Sequence, residues 1–317
     1  MSDGRLKLGV RIPNTGKHPE EPGLSRMSRL AEEAGADALW VGDHVLMVEG
    51  AQSRYPYSAG GEPWWPLDMP WYEALVTCAY LAAVTNRCRV GTAVLILPQR
   101  NVLELAKTVA TIDKLSGGRM TLGVGLGWLA EETEALGYTF STRAKRADEM
   151  IHVLRDCWTG RTSGFNGAQL TIPPGLVFSP TPAQLGGPPI LVGGVSPAAL
   201  RRAGTLGDGW LARGQPTGLD VSAMRASIAH VKENRHGSGR EGSPYNVMMV
   251  APPGADRGSL GGLISQTAQS GFDEFLFEPR WDDLDDAAAT IRAARSYVDR
   301  YSKLPETSPD AIGNPRR

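Results

Sequence analysis

Cysteine, excess charge of either sign and long apolar runs are all scarce in this sequence. Three cysteines occur in 317 residues, Cys78, Cys88 and Cys157, and none of them forms a C-x-x-C pair. We therefore expect buried free thiols in a reducing compartment rather than a disulfide framework. The formal net charge of −1 argues against a general affinity for nucleic acid or for an anionic membrane surface.

Segments that would direct the chain into or across a membrane are also lacking. No run approaches the ~20 apolar residues that a membrane span needs. The opening stretch M-S-D-G-R-L-K-L-G-V contains no apolar region of the kind that a signal peptide requires. We therefore expect a cytoplasmic protein that acts on a small-molecule substrate, with neither nucleic acid nor membrane as a partner.

Several signatures of catalytic and metal sites are missing as well. The histidines show no H-x-x-x-H spacing, so we expect no metal, and neither a G-x-S-x-G elbow nor a P-loop occurs. Gly125, Gly127 and Ala130 match the G-x-G-x-x-G/A dinucleotide pattern. However, they follow the fourth candidate strand rather than the first. We therefore favour another interpretation, in which the glycines let the backbone approach a flat ring system.

Strand-type apolar runs alternate with helical patterns along the chain. Strand, helix and strand joined by tight connections form βαβ units, which require a parallel sheet with right-handed crossovers. The pattern predicts an α/β fold, a single (β/α)8 TIM barrel over residues 1–303, with a disordered tail at 304–317. Its eight candidate strands are 6–12, 38–41, 90–97, 120–124, 189–192, 208–212, 246–251 and 273–277.

Two segments interrupt the alternation. Residues 45–70, after strand two, are rich in Gly and Pro, and they are too long for an ordinary connection, which predicts a lid. Aromatic side chains argue against disorder in the lid, and they either cover a substrate or fix the loop by packing: Tyr55, Tyr57, Trp64 and Trp65. Residues 162–187, between strands four and five, predict a hairpin or coil insertion.

Polar groups follow the strand ends, where parallel α/β barrels place their chemistry. Asp43 and His44 could be an ordinary helix-start cap, but at the barrel mouth they could orient a cofactor and transfer a proton near neutral pH. Gly193, Gly194 and Ser196 place backbone amides at the start of a helix. That arrangement is either a capped turn or an anion site for a cofactor phosphate.

Four blocks of sequence, taken together and in this order, resemble the luciferase-like monooxygenase superfamily, and specifically its members that use the deazaflavin coenzyme F420. The blocks are ADALWVGDHV at 36–45, VGTAVLILPQRNVLELAK at 90–107, LSGGRMTLGVGLGW at 115–128 and PPILVGGVSPAALRRAGTLGDGW at 188–210. The resemblance implies a (β/α)8 barrel, usually a homodimer, that holds a flavin or deazaflavin at the carboxyl ends of its strands.

The resemblance also implies roles for individual residues. Asp43 would hydrogen-bond the ring system, and His44 would lie at its reacting face as an acid, base or polariser. A cis peptide that does not precede proline would fall at Ala93–Val94 and back the ring. Leu126, Gly127 and Trp128 match the loop that touches the ring. Gly193 and Gly194 match the loop that carries the phosphate of the cofactor's side chain, and Ser196 follows them.

One departure from the family pattern bears on the substrate. The sugar-phosphate dehydrogenases of the superfamily have a Glu where this chain has Trp128, and that Glu acts on the substrate alcohol. Its absence argues against sugar-phosphate oxidation, and a Trp there indicates an apolar wall, in keeping with Trp64 and Trp65 as substrate contacts.

The leading hypothesis is therefore an oxidoreductase that moves a hydride between a deazaflavin and a small, apolar organic substrate. Two alternatives remain open: an FMN-dependent monooxygenase that uses O2 on the same fold, and a non-catalytic (deaza)flavin-binding protein.

Overall fold

The computed structural model of the protein describes residues 5–58, 60–214, 218–252 and 255–301. Eight parallel strands form a closed barrel in which each strand pairs with the next in the chain and the last pairs with the first. The strands are β1 Lys7–Arg11, β2 Ala38–Val41, β3 Arg89–Ile96, β4 Met120–Gly125, β5 Ile190–Gly193, β6 Gly209–Arg213, β7 Asn246–Val250 and β8 Glu274–Phe277.

Helices follow the strands and cover the outside of the barrel. The predicted (β/α)8 architecture is therefore confirmed, whereas the predicted tail at 304–317 lies outside the described residues. The helices are α1 Leu24–Glu33, α2 Ala74–Val84, α3 Val102–Ser116, α4 Ala130–Ala135, α5 Arg143–Trp158, α6 Pro197–Leu206, α7 Val221–Arg235, α8 Leu260–Ser270 and α9 Leu284–Tyr301.

Local sequence signals set several helix boundaries. The Asn101 side chain accepts hydrogen bonds from the Leu103 and Glu104 amides and so caps α3, which ends at Gly117 with a φ of 71°. Ser196 caps α6 by accepting a hydrogen bond from the Ala199 amide. These capping groups satisfy backbone donors and acceptors that a helix end leaves unpaired.

The two predicted interruptions are present. The insertion at 162–187 contains a two-stranded antiparallel hairpin, in which Phe165–Asn166 pairs with Thr171–Ile172. Residues 45–70 contain neither helix nor strand in the part that the structure describes, which omits only residue 59. The three cysteines are buried and unpaired, as expected. No helix among the described residues is long and apolar enough to cross a membrane.

A single indole fills much of the barrel lumen. The Trp40 side chain is fully buried, and its Nε1 donates to Glu274 Oε1 at 2.9 Å. Arg89 donates to the other oxygen of this buried carboxylate at 2.6 Å, so the charge of Glu274 is neutralised inside the barrel. Gly9 and Gly91 face the indole, and a Cβ on either glycine would lie within 3.0 Å of a Trp40 atom. The indole therefore needs glycine on both neighbouring strands.

Replacing Gly91 by Ala is expected to destabilise the barrel, because the added Cβ would lie 2.6 Å from the Thr121 carbonyl oxygen and 2.7 Å from Trp40. Overpacking of this kind costs about 1–3 kcal/mol. Urea denaturation would measure the change. Gly262→Ala is the control, since this helical glycine has no atom near its added Cβ and the change should be neutral or stabilising. A Gly91→Ala protein as stable as the parent would show that the Trp40 indole does not need glycine at this position.

Candidate functional site

The residues singled out in the sequence gather at the carboxyl end of the barrel. Asp43 and His44 directly follow β2, Trp128 follows β4, and Gly193 ends β5. The peptide bond between Ala93 and Val94 in β3 is cis, as the resemblance predicted. The pairing of β3 with β4 shifts register at this point, between Thr92 and Leu95. These residues therefore form one surface at the mouth of the barrel.

Asp43 lies beneath this surface, and its side chain is completely buried. Its Oδ2 accepts a hydrogen bond from the Ile96 amide at 2.9 Å, and its Oδ1 accepts one from Arg100 Nη2 at 2.6 Å. Burial raises the pKa of Asp43 to about 6, although Arg100 and the Ile96 amide oppose the shift. Arg100 also bonds Glu73, which caps α2. Asp43 thus ties the end of β2 to the loop that follows β3, and its contact with a cofactor stays a prediction.

His44 is held by a buried carboxylate that the sequence did not single out. Its Nδ1 lies 2.9 Å from Glu132 Oε2, and its Nε2 lies 3.3 Å from the Trp128 indole nitrogen. An indole N–H can only donate, so His44 Nε2 accepts and the ring proton lies on Nδ1, facing Glu132. Burial raises the pKa of Glu132, but hydrogen bonds from His44 and two backbone amides outweigh that effect and lower it. An ionised Glu132 would stabilise a second proton on His44.

Two successive glutamates of α4 hold the lid, residues 45–70. Glu132 Oε1 accepts hydrogen bonds from the Val45 and Leu46 amides, at 2.6 and 3.3 Å. Glu131 Oε1 accepts from the Gln52 and Ser53 amides, at 2.7 and 3.1 Å. Hydrogen bonds from Ser53 and these amides lower the pKa of Glu131 to about 2. The beginning of the lid is therefore fastened to the helix that follows β4.

Aromatic rings of the lid pack over His44 and Trp128. Tyr55 is buried at the centre of this cluster, with its ring 5.1 Å from Trp65 and 5.2 Å from Trp128, both edge-on. Trp71 meets the His44 ring at 4.9 Å. Edge-to-face pairs at these distances are favourable. The lid aromatics thus pack together and fix the lid, and their contact with a substrate stays a prediction.

Glycines at the ends of β4 and β5 lie beside the cis peptide. The half-buried Val94 side chain lies between Gly125 and Gly193, and a Cβ on these glycines would come within 2.6 and 3.1 Å of it. Gly127 has a φ of 78°, which favours glycine, and its neighbours Leu126 and Trp128 are half-buried. Gly125 and Gly193 therefore make room for the Val94 side chain at the cis peptide.

The Gly193–Gly194 turn leads into the N-terminus of α6. Gly194 has a φ of 116°, and its carbonyl accepts a hydrogen bond from the Trp210 indole at 2.8 Å. Ser196 is exposed, and its side chain is occupied in capping the helix. Arg202 lies on the same helix and forms an ion pair with Asp148. The structure thus brings these residues to the mouth, and their binding of a phosphate stays a prediction.

Five residues of the site escaped the sequence reasoning. Glu132 lies on α4, only four residues after Trp128, and this closeness in the sequence was a usable signal. The others gave none, because their contacts are formed by distant parts of the chain: Trp71, Arg100 and, at the ends of β1 and β6, Arg11 and Arg213. Among the described residues, no group of three or more His, Cys, Asp or Glu side chains could hold a metal ion.

Comparisons with known proteins place this geometry in context. The family model described as luciferase-like monooxygenase matches residues 7–258. An uncharacterised protein of Mycobacterium tuberculosis is 36% identical over 229 residues, 72% of this chain and 76% of that protein. An F420-dependent glucose-6-phosphate dehydrogenase of Kineococcus radiotolerans is 29% identical, covering 74% of this chain and 64% of that protein.

Two solved structures share the fold. An F420-dependent secondary alcohol dehydrogenase, in complex with an F420–acetone adduct, superposes with a TM-score of 0.75 at 16% identity, covering 93% of this chain and 99% of that one. The long-chain alkane monooxygenase LadA superposes with a TM-score of 0.73 at 13% identity, covering 93% and 91%.

The raised pKa of Asp43 predicts a specific pH dependence of stability. The folded protein holds this proton up to about pH 6, whereas an unfolded Asp loses it near pH 4, so ionisation lowers stability as pH rises. Relative to the parent, Asp43→Asn should gain roughly 3 kcal/mol of unfolding free energy between pH 4 and pH 7. Urea denaturation across this range would measure the difference. Asp68→Asn, at an exposed lid position, is the control. If the difference in unfolding free energy between Asp43→Asn and the parent does not change with pH, the pKa of Asp43 is not raised.

Removing Glu131 is expected to loosen the lid, because two backbone amides lose their charged acceptor. Glu131→Ala should speed trypsin cleavage after the exposed Arg54 by about tenfold, as local opening becomes easier. Mass spectrometry of the Arg54–Tyr55 cleavage product would follow the rate. Glu134→Ala, at an exposed position of the same helix, should leave the rate unchanged. Equal rates in both variants would show that Glu131 does not fasten the lid.

Proposed function

Because this chain belongs to the luciferase-like monooxygenase family, we propose that it is a deazaflavin (coenzyme F420)-dependent oxidoreductase. It would transfer a hydride to or from a carbon atom of a small organic substrate. The observation that carries the proposal is the buried His44–Glu132 pair, together with the surface that Val94 forms between Gly125 and Gly193 at the cis peptide. A flat ring needs such a surface, and hydride transfer to a carbonyl needs a proton source at its edge.

The residues of the site fit a deazaflavin. Val94, with the glycines on either side, would support the ring, and Leu126, Gly127 and Trp128 would border it. Gly193, Gly194 and the start of α6 would meet the phosphate, since a helix N-terminus favours an anion. When bound, the deazaflavin would supply or accept the hydride. Asp43 would act by holding Ile96 and Arg100 in place beneath the ring.

His44 would move the proton that accompanies the hydride. Its Nε2 is unprotonated in the observed hydrogen-bonding arrangement and would take a proton from a substrate alcohol, or return one to a carbonyl. Glu132 would fix the ring orientation and stabilise the imidazolium, as a buried carboxylate does for a catalytic histidine. Trp128, Trp64 and Trp65 would close the substrate side and exclude water.

Two further properties belong to the same proposal. The homodimer expected from the resemblance is supported by exposed apolar side chains on α2, where Val76 is 70% and Tyr80 is 47% exposed. The low content of cysteine, all of it buried and unpaired, supports a cytoplasmic protein.

The relatives also favour a second candidate on the same fold, an FMN-dependent monooxygenase, because LadA superposes almost as well as the F420-dependent enzyme. A glucose-6-phosphate dehydrogenase is not favoured, despite the matching relative. Trp128 occupies the position at which that branch of the superfamily has its substrate-directed Glu.

Titration of the protein with F420 and, separately, with FMN tests the proposal. We expect quenching of tryptophan fluorescence to report binding of F420 at micromolar concentration or tighter, because four indoles, Trp64, Trp65, Trp71 and Trp128, line or adjoin the site. FMN should bind at least about tenfold more weakly, a difference of ~1.4 kcal/mol. Tight binding of FMN without binding of F420 would overturn the proposal, and consumption of O2 by the reduced FMN complex would establish the monooxygenase.

Turnover assays of the parent and of His44→Ala, beside the same titration, separate an enzyme from a non-catalytic binding protein. The variant should keep F420 binding within a few-fold and lose turnover with a panel of short secondary alcohols and ketones. A parent protein that binds F420 but turns over no alcohol or ketone of the panel would favour the non-catalytic alternative.

A further inference from the structure

We propose that the substrate carries an anionic group, a carboxylate or a phosphate, which binds to Arg213 at the mouth of the barrel. This inference deepens the proposed function, since it concerns the substrate of the same site, and it refines the expectation of an apolar substrate. Arg213 ends β6 and Arg11 ends β1. The two arginines are electrostatic neighbours beneath the lid.

The guanidinium of Arg213 has little to balance its charge. Among the described residues it forms no ion pair and no hydrogen bond, and its Nε is buried without a partner. Its contacts are with two lid rings: the guanidinium carbon lies 4.7 Å from the centre of Tyr57 and 5.7 Å from that of Trp64. Cation–π contacts contribute about 0.5–2 kcal/mol, which is less than a partly buried charge loses in desolvation.

Around Arg213, two cations face one carboxylate, since Arg11 and Glu278 are its charged neighbours. Arg11 donates to the Ala93 carbonyl at 2.7 Å, and its Nε lies 3.8 Å from Glu278 Oε2. Glu278 lies nearest to Arg11, and its charge also acts on Arg213, so a single carboxylate faces two guanidinium groups. Burial lowers the pKa of Arg11, Glu278 opposes this shift, and the charge of Arg213 adds to it. An incoming anion would relieve the repulsion between the two arginines.

The position of Tyr55 relates this charge to the reacting end of the site. Its ring lies 5.2 Å from that of Trp128, whose indole contacts His44. Tyr55 also interacts electrostatically with Arg213 and Arg11. A small ligand lying along Tyr55 could place its reacting carbon at His44 and its anionic group at Arg213. The walls between these two points are aromatic, so the favoured ligand is an apolar body with one anionic end.

A simpler role for Arg213 would be to hold the lid through Tyr57 and Trp64. The two roles make different predictions. If Arg213 only holds the lid, its loss would weaken binding of every ligand alike, and removal of the Tyr57 ring would have the same effect. If Arg213 binds an anion, its loss would weaken only charged ligands, and removal of the Tyr57 ring would leave the preference for charged ligands intact.

Calorimetric titration of the cofactor-free protein with benzoate, phenyl phosphate and the neutral isostere benzamide tests the proposal. We expect one of the two anions to bind at least about tenfold more tightly than benzamide, as a charge-assisted hydrogen bond would give. The preferred anion identifies the group as carboxylate or phosphate. Arg213→Gln should abolish the preference while leaving benzamide binding unchanged, and Arg213→Lys should keep part of it.

Tyr57→Leu is the matched control, because it removes the ring but keeps the cation, and the preference should survive. Equal binding of both anions and benzamide by the parent would overturn the proposal, and so would a preference that persists in Arg213→Gln. Uniform weakening of all three ligands in Arg213→Gln and in Tyr57→Leu would assign Arg213 to the lid alone. Since no deazaflavin is present, failure of the anion site and failure of F420 binding are separate outcomes.

Discussion

The buried carboxylate of Glu132 is the group on which the site depends. It accepts hydrogen bonds from His44 and from the Val45 and Leu46 amides, so it fixes the imidazole and the start of the lid together. A buried carboxylate without partners would be costly, and here three donors compensate the loss of water. The position of His44 and the start of the lid are therefore set by one carboxylate, and neither could shift without uncovering this charge.

The far end of the lid is fastened by hydrogen bonds of the Asn14 side chain. The Asn14 side chain donates to the Gly42 and Tyr72 carbonyls at 3.0 and 2.7 Å and accepts from the Gly42 amide. Gly42 directly precedes Asp43, and Tyr72 follows the lid in the chain. Asn14 therefore ties the two ends of the lid together beside Asp43 and His44. The lid is thus closed over the mouth by fixed polar contacts, and its aromatic rings pack on a frame that is already in place.

The sequence predicted the frame of this protein better than its site. Strand positions followed from short apolar runs, because a fully buried parallel strand leaves a continuous apolar signal. The resemblance located the Ala93–Val94 cis peptide, which no local pattern indicates. Glu132 was missed because its partner His44 lies 88 residues away in the chain. The lid could be recognised by length and composition, but its conformation depends on contacts between rings from separate segments, and periodicity carries no information about those.

The charges of the mouth explain why an aromatic wall need not mean an apolar ligand. Trp128 was expected to make the pocket apolar, yet its indole nitrogen contacts His44, and Tyr57 and Trp64 lie against the guanidinium of Arg213. Aromatic faces tolerate a cation better than aliphatic side chains do, because the ring quadrupole attracts it. They can therefore keep Arg213 in a half-buried position without a carboxylate partner. A carboxylate from the protein in that position would neutralise the guanidinium permanently, whereas rings leave its charge available to a ligand.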